Sequence, residues 1–325
     1  MGATYGQFYD LDSFERLGDS AKSSGFADAY AGVVQGRNLE MVDPRLFEKK
    51  FPTLSFLNSG IEADNSGGFV TKVKSLRKLG HGEFRNASDR SSDKGTISVS
   101  AEDSTITIIG REAKSEWSET EVKQAALENR SLVSELVAGH NDRYSRDIDH
   151  FGYLGNPDDA TSHGLLNYSG WVSSAAAGAI GTLTAQQMYE VYADLITDQR
   201  NGVNNTPEYM ATRVDTPIYC LNTLSATMLN TAAGSSNVLR ALKDNFPDAV
   251  FSGTFRADNA GGAGVSHTIA YNPNREAMVM RIPQPLMIGE IIKSGSFHYK
   301  VDTMYRIGTS LDILEDTAAR IVTGL

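Results

Sequence analysis

The segment His140-Asn141-Asp142 and the segment Asp147-Ile148-Asp149-His150 crowd two imidazoles and three carboxylates into residues 140–150. Ligands of that kind and density suit a divalent transition metal, so this is the best candidate for metal chemistry in the chain. The pattern around it argues otherwise. His140 continues the apolar stripe of a helix, and the remaining groups alternate with Arg143 and Arg146, as in a solvated helix end. Gly261-Gly262-Ala263-Gly264 is a glycine cluster, but no helix pattern follows it and it lacks a Walker lysine. It reads as a loop rather than a phosphate cradle. Neither Gly-x-Ser-x-Gly nor His-Glu-x-x-His occurs, and His81, His163, His267 and His298 are scattered. Cys220, the sole cysteine, lies in an apolar run read as a buried strand over Thr216–Leu221. It excludes an internal disulfide and a cysteine-based metal site. A lysine among Lys72, Lys74, Lys78 and Lys94 could form an isopeptide bond with a neighbour's asparagine, although ordinary solvated lysines explain them more simply. The expectation is no cofactor, no metal and no enzyme. The alternative is a cytoplasmic enzyme using the 140–150 region or the 261–264 loop.

The elements that carry these groups are more informative than the groups. Ser118 and Glu121 have the spacing of a capping box, with Trp117 placed to staple Val122. From there Val122, Ala126, Val133, Leu136, Val137, Tyr144, Ile148 and Phe151 recur at helical spacing. The pattern predicts one helix of about 30 residues, a rod of roughly 45 Å.

Before it lies a polar, β-patterned excursion. Gly67-Gly68 opens it, 69–76 reads as a strand, and Gly80-His81-Gly82 interrupts the pattern. Residues 85–95 form a polar tip. Residues 96–101 alternate, a Glu-Asp-Ser turn follows at 102–104, and 105–111 is a further strand. These strands hold too few large apolar residues for a core of their own, so they must lie on the parent body or on another copy. Residues 69–95 carry seven Lys/Arg (Lys72, Lys74, Arg77, Lys78, Arg85, Arg90, Lys94) and three Asp/Glu, a local +4. The whole chain is −10, which leaves −14 elsewhere. A basic arm on an acidic body steers self-association. Those seven cations, with Glu119, Glu121 and Glu128 at the helix start, are the candidate inter-subunit contacts. A solvated loop and a nucleic-acid finger are the alternatives; the finger lacks clustered aromatics to stack bases.

Charged content of 22% and hydrophobic content of 40% are globular values. The N-terminus has no basic-then-apolar signal pattern and no run of 18 apolar residues occurs, which argues against secretion and membrane insertion. Residues 1–65 read as an extended arm with scattered aromatics, with helical stretches around Phe14 and over 43–51. Later, the pattern predicts a helix over 183–199 and another over 236–245. Strands are predicted over 249–255, 266–271, 276–282 and 297–307, and 311–322 reads as helix or strand. The class is α+β.

This order of features resembles the HK97-like major capsid proteins of tailed bacteriophages. Gly164-Leu165-Leu166-Asn167 after the long helix, and Tyr305-Arg306-Ile307-Gly308-Thr309 through Ala318-Ala319-Arg320 to Gly324, are the local matches. The resemblance favours strand at the C-terminus. It implies an N-terminal arm (1–65), an extended β-hairpin loop over the adjacent subunit (66–116), and a spine helix with peripheral domain (117–165). An axial domain with returning peripheral strands (166–290) and a C-terminal peripheral segment (291–325) complete the order. It also implies homo-oligomers, pentamers and hexamers in an icosahedral shell that encloses DNA without sequence-specific binding. The place would be the virion capsid, assembled in the host cytoplasm without a membrane, with scaffold, portal or decoration proteins as possible partners. Relatives often carry a cleaved N-terminal scaffolding segment. A chain starting at Met1 without a coiled-coil prefix implies a separate scaffold or none. The same fold builds bacterial nanocompartments, the second alternative.

Overall fold

The computed structural model describes residues 54–82, 96–127, 130–231, 234–262 and 264–325. The expected helical stretches around Phe14 and over 43–51, and the polar tip, lie outside them.

In chain order the strands are β1 (Ala63–Asp64), β2 (Lys72–Gly82), β3 (Ile97–Ser118), β4 (Val172–Ala175) and β5 (Arg213–Pro217). Then follow β6 (Met228–Thr231), β7 (Gly234–Asn237), β8 (Val250–Thr254), β9 (His267–Tyr271) and β10 (Met278–Arg281). The last are β11 (Gln284–Ile288), β12 (Ile292–Lys293), β13 (His298–Gly308), β14 (Asp312–Ile313) and β15 (Ala319–Thr323). The helices are α1 (Glu119–Leu127), α2 (Leu132–Leu154), α3 (Ala185–Gly202), α4 (Ile218–Ala226) and α5 (Val238–Asn245).

The capping box forms as the spacing predicts. Ser118 N–H donates to Glu121 Oε2 at 2.8 Å, and Glu121 N–H donates to Ser118 Oγ at 3.2 Å. The single rod does not form. α1 ends at Leu127, and α2 restarts after Ser131, whose backbone is extended (φ −103°, ψ 93°). Glu128-Asn129-Arg130-Ser131 includes two residues whose side chains compete for backbone groups and favour caps over helix interiors. Across the joint Arg130 N–H reaches back to the Ala125 carbonyl at 2.9 Å, and Arg130 pairs with Glu135 at 2.6 Å. The phase shifts too, because Ala125 is buried and Ala126 exposed.

The expected turn at 102–104 is also absent. β3 runs without interruption for 22 residues. Its first half pairs with β2 from Gly82↔Ile97 to Lys72↔Thr107, so Gly80 and Gly82 belong to the ladder instead of ending it. Its second half pairs with β13 from Gly308↔Ile108 to His298↔Ser118. The ladder satisfies the backbone of 102–104, which removes the reason for a turn. One sheet thus runs β11-β13-β3-β2, with β12 beside β13. α2 lies across one face of it: His140 bridges Ser115 Oγ (2.8 Å) and Thr303 Oγ1 (3.0 Å), and Tyr144 meets Tyr305 edge to face.

A second, mixed sheet runs β4-β15-β9-β5-β8 and separates two apolar cores. Strand alternation assigns its side chains. Ile269, Tyr271, Ala319 and Ile321 face a core shared with Phe56, Phe151, Tyr153, Leu165 and Leu166. Val214, Ala270 and Val322 face a core filled by α3, α4 and α5 through Met188, Leu195, Ile196, Leu224 and Leu242. The helices over 185–202 and 238–245 match expectation. Residues 218–221, expected as strand, instead open α4, with Cys220 buried in it. A short apolar run with no clear period fits either element. At the C-terminus β14 and β15 answer the helix-or-strand ambiguity as strand.

Candidate functional site: the hairpin arm and its anchor

The β2–β3 hairpin has two unlike faces. Alternation puts Val73, Ser75 and Arg77 with Ser104 and Ile106 on the inner face, turned to the parent body. There the polar groups converge on Asp312, whose side chain is 0% exposed. Asp312 accepts from Ser75 Oγ (2.6 Å), Ser104 Oγ (3.1 Å) and Arg281 Nε (2.9 Å). Arg281 also donates to Ser75 Oγ at 2.8 Å and pairs with Asp64 on β1. Burial alone would raise the Asp64 carboxyl, but hydrogen bonds from Ser66 and the Arg281 guanidinium outweigh it and hold it low. Arg77 pairs with Glu315 and donates to the Leu314 carbonyl at 3.1 Å. Removing one partner from a charge network this well buried leaves the others uncompensated, which makes the hairpin base rigid.

The outer face carries Lys72, Lys74, Leu76 and Lys78 from β2 and Ile97, Val99, Ala101 and Asp103 from β3. Leu76 is 68%, Ile97 60% and Val99 69% exposed. Large apolar side chains normally go inward; here they go outward, interleaved with lysines. Lys74 holds Asp103 at 2.7 Å, a pair open to solvent.

Of the ten candidate contacts, Lys72, Lys74 and Lys78 share that outer face. Arg77 is committed within the chain. Glu119 pairs with Lys123 at 2.7 Å, and Glu121 closes the capping box. Arg85, Arg90, Lys94 and Glu128 lie outside the described residues. Sequence reading missed the anchor, because Asp64, Arg281 and Asp312 are far apart in the chain and none sits in a motif.

Of the metal candidates, the carboxylates Asp147 and Asp149 are engaged in structure, whereas His150 Nδ1 is buried without a hydrogen-bond partner. Asp147 accepts from Tyr305 OH (2.6 Å) and pairs with Arg143 (3.1 Å). Asp149 accepts from the Ser55 and Phe56 amides (3.0 and 3.1 Å) and from Arg256 Nε (2.8 Å). Among the described residues no cluster of three or more His, Cys, Asp or Glu is arranged to hold a metal, and no helix is long and apolar enough to cross a membrane. Gly262 and Gly264 turn with positive φ (109° and 81°), which glycine adopts without strain.

This mixed fold, in which a long helix, a β-hairpin and a three-helix lobe share two sheets, is shared with solved phage capsid subunits. The family model for major capsid proteins matches residues 85–325. The chain is 40% identical to a protein of the capsid of Myoviridae phage XM1, with a TM-score of 0.80, covering 89% of this chain and 98% of that one. The capsid of a native GTA particle (12% identity, TM-score 0.66, 91% and 99% covered) and Mycobacterium phage Ogopogo (11%, 0.60, 90% and 98%) share the fold. No curated protein matches the sequence. The chain belongs to the major capsid protein family. It is a structural subunit of the tailed-phage head shell, with the HK97-like fold, and its place is the virion capsid.

Proposed function

We propose that the β2–β3 hairpin is the arm by which each subunit holds its neighbours, in pentamers and hexamers that close around DNA. The observation that carries this reading is the pair Ile97 and Val99, neighbours on the outer face of β3, since adjacent large apolar side chains turned to solvent mark interaction surfaces. The buried anchor at Asp312 gives the arm a fixed direction. The −14 balance outside residues 69–95 suits a wall that encloses polyanionic DNA without adhering to it. The acidic groups of residues 140–150 hold arginines, tyrosine and backbone amides instead of a substrate, and we assign the chain no catalysis. Scaffold, portal and decoration proteins are further partners of such a shell.

Size exclusion with light scattering, followed by imaging, tests this on the full chain and on a chain lacking residues 80–95. Particles or discrete five- and six-copy rings from the full chain, lost on deletion, are expected. A full chain that stays monomeric under assembly conditions overturns the reading.

A further inference from the structure

We infer that Asp215 is held as a neutral carboxylic acid, and that its proton closes a joint between the end of α2, the dividing sheet and the segment leading into the hairpin. The device lies inside one subunit and stands or falls independently of the arm.

Asp215 sits in the middle of β5 and is 0% exposed. Val214 faces the core filled by α3, α4 and α5, so alternation turns Asp215 to the other core. There its Oδ2 accepts from Tyr153 OH at 2.9 Å and from Tyr271 OH at 3.0 Å. Tyr271 OH shares its proton with the Ser59 carbonyl at 3.2 Å. Three chain segments thus meet at one carboxyl. Tyr153 is in the last turn of α2, Tyr271 ends β9, and Ser59 belongs to the stretch before β1.

The surroundings favour the neutral form. The two phenols fill the lone pairs of Oδ2 as they would those of a carbonyl oxygen, while Oδ1 is buried without a hydrogen-bond partner. A bare hydroxyl there costs one polar group, whereas a bare carboxylate oxygen costs a buried charge, which is far more. Among the described residues no cation pairs with it. Arg213, on the same strand face, bears on Asp215 only from a distance, and its Nη1 lies beside Gly60. The register neighbours, Ser252 on β8 and Ile269 on β9, are uncharged. From α2 the facing charge is Asp149, an anion that bears on Tyr153 and is held by Arg256. Burial pushes the Asp215 carboxyl up, against the phenol hydrogen bonds and Arg213. It pushes both phenols up as well, so neither gives up a proton in its place. Loss of the Asp215 proton leaves a charge that must find water, which reaches it by displacing the Ser59 segment or the end of α2. The contribution of the joint is therefore full below the ordinary aspartate value of about 3.9 and fades as pH rises through the folded value.

Asp215→Asn in the full-length chain keeps the shape and an acceptor for the phenols but cannot ionise. Melting temperatures of parent and variant, followed from about pH 5 to about pH 9, should diverge as pH rises, the parent losing ground; ordinary tyrosines keep their protons to about 10. A difference that stays constant with pH, whatever its sign, overturns the inference. Over the same range amide protection at residues 56–61, corrected for the intrinsic rate, should fall in the parent and hold in the variant. Unchanged protection in the parent overturns the joint. Should the variant fail to fold, infrared spectra of the parent with isotope-labelled aspartate decide. The expected result is a protonated-carboxyl band at neutral pH that persists in Asp258→Asn, which removes the other carboxyl that burial raises. Absence of that band overturns the inference.

Discussion

Ser75 Oγ donates to the buried Asp312 carboxylate at 2.6 Å, joining the hairpin to a strand 237 residues later in the chain. That hydroxyl also receives from Arg281, so the contact is charge-assisted on both sides. Asp312→Ala strips Arg281 of its innermost partner. The expected loss is about 3–5 kcal/mol, the cost of breaking a buried pair, whereas Ser75→Ala costs about 1.5–3 kcal/mol. Urea unfolding of both variants checks the order. Equal and small losses would mean that the network does not anchor the arm.

The outer face should behave oppositely. Leu76→Thr keeps a good strand former opposite Asp103 at a site that is 68% exposed, so stability should stay within about 0.5 kcal/mol of the parent while assembly is weakened. Thermal melting and light scattering on one sample separate the two effects.

His140 joins α2 to two strands through Ser115 and Thr303. His140→Leu leaves both hydroxyls without their imidazole partner and should cost about 1–3 kcal/mol. Zinc should leave the melting temperature of the parent unchanged. A zinc-dependent rise abolished by His140→Leu would revive the metal reading.

Acidification should destabilise the chain through His150. Burial, then the Arg256 guanidinium, lowers its imidazole, with Arg111 adding and Asp147 and Asp149 opposing. A group held low in the fold is neutral there and takes its proton on unfolding. Its contribution is therefore full above the ordinary value of about 6.5 and fades as pH falls through the folded value. His163 shifts the same way, also from burial. Asp215 works in the opposite sense, because burial raises its carboxyl despite the Tyr153 and Tyr271 hydroxyls at 2.9 and 3.0 Å. Melting temperature should fall as pH drops below the ordinary histidine value of about 6.5, and His150→Gln should flatten that slope. An unchanged slope would assign it elsewhere.

Phe56 seats its ring against Gly152, where a Cβ would overlap three ring carbons. Gly152→Ala should cost about 1–3 kcal/mol by overpacking and Phe56→Ala about 3–5 kcal/mol by leaving a cavity. The double variant should cost less than the sum, since the two residues share one space. Additive losses would contradict the packing.

What the sequence made legible was local. The capping box is a three-residue relationship, and α3 and the strand at 298–308 follow from period alone. The helix joint at 128–131 was hidden because the apolar stripe continues past it, although Asn129 and Ser131 were its signal. The strand through 102–104 was hidden because its justification is the 75–77 segment opposite. Asp149 looked like a ligand because its partners, Ser55, Phe56 and Arg256, lie about a hundred residues away on either side.

The continuity of β3 has a mechanical consequence. A pull on the arm tip runs along one backbone into the register with β13, eleven residue pairs from Ile108 to Ser118. Tension along a strand loads such a ladder in shear, so its hydrogen bonds must yield together instead of unzipping one by one. The end of that strand is the N-cap of α1, so strain that does pass arrives at a helix start. A subunit built this way passes tension from the β2–β3 hairpin into β13 before any of it reaches α1.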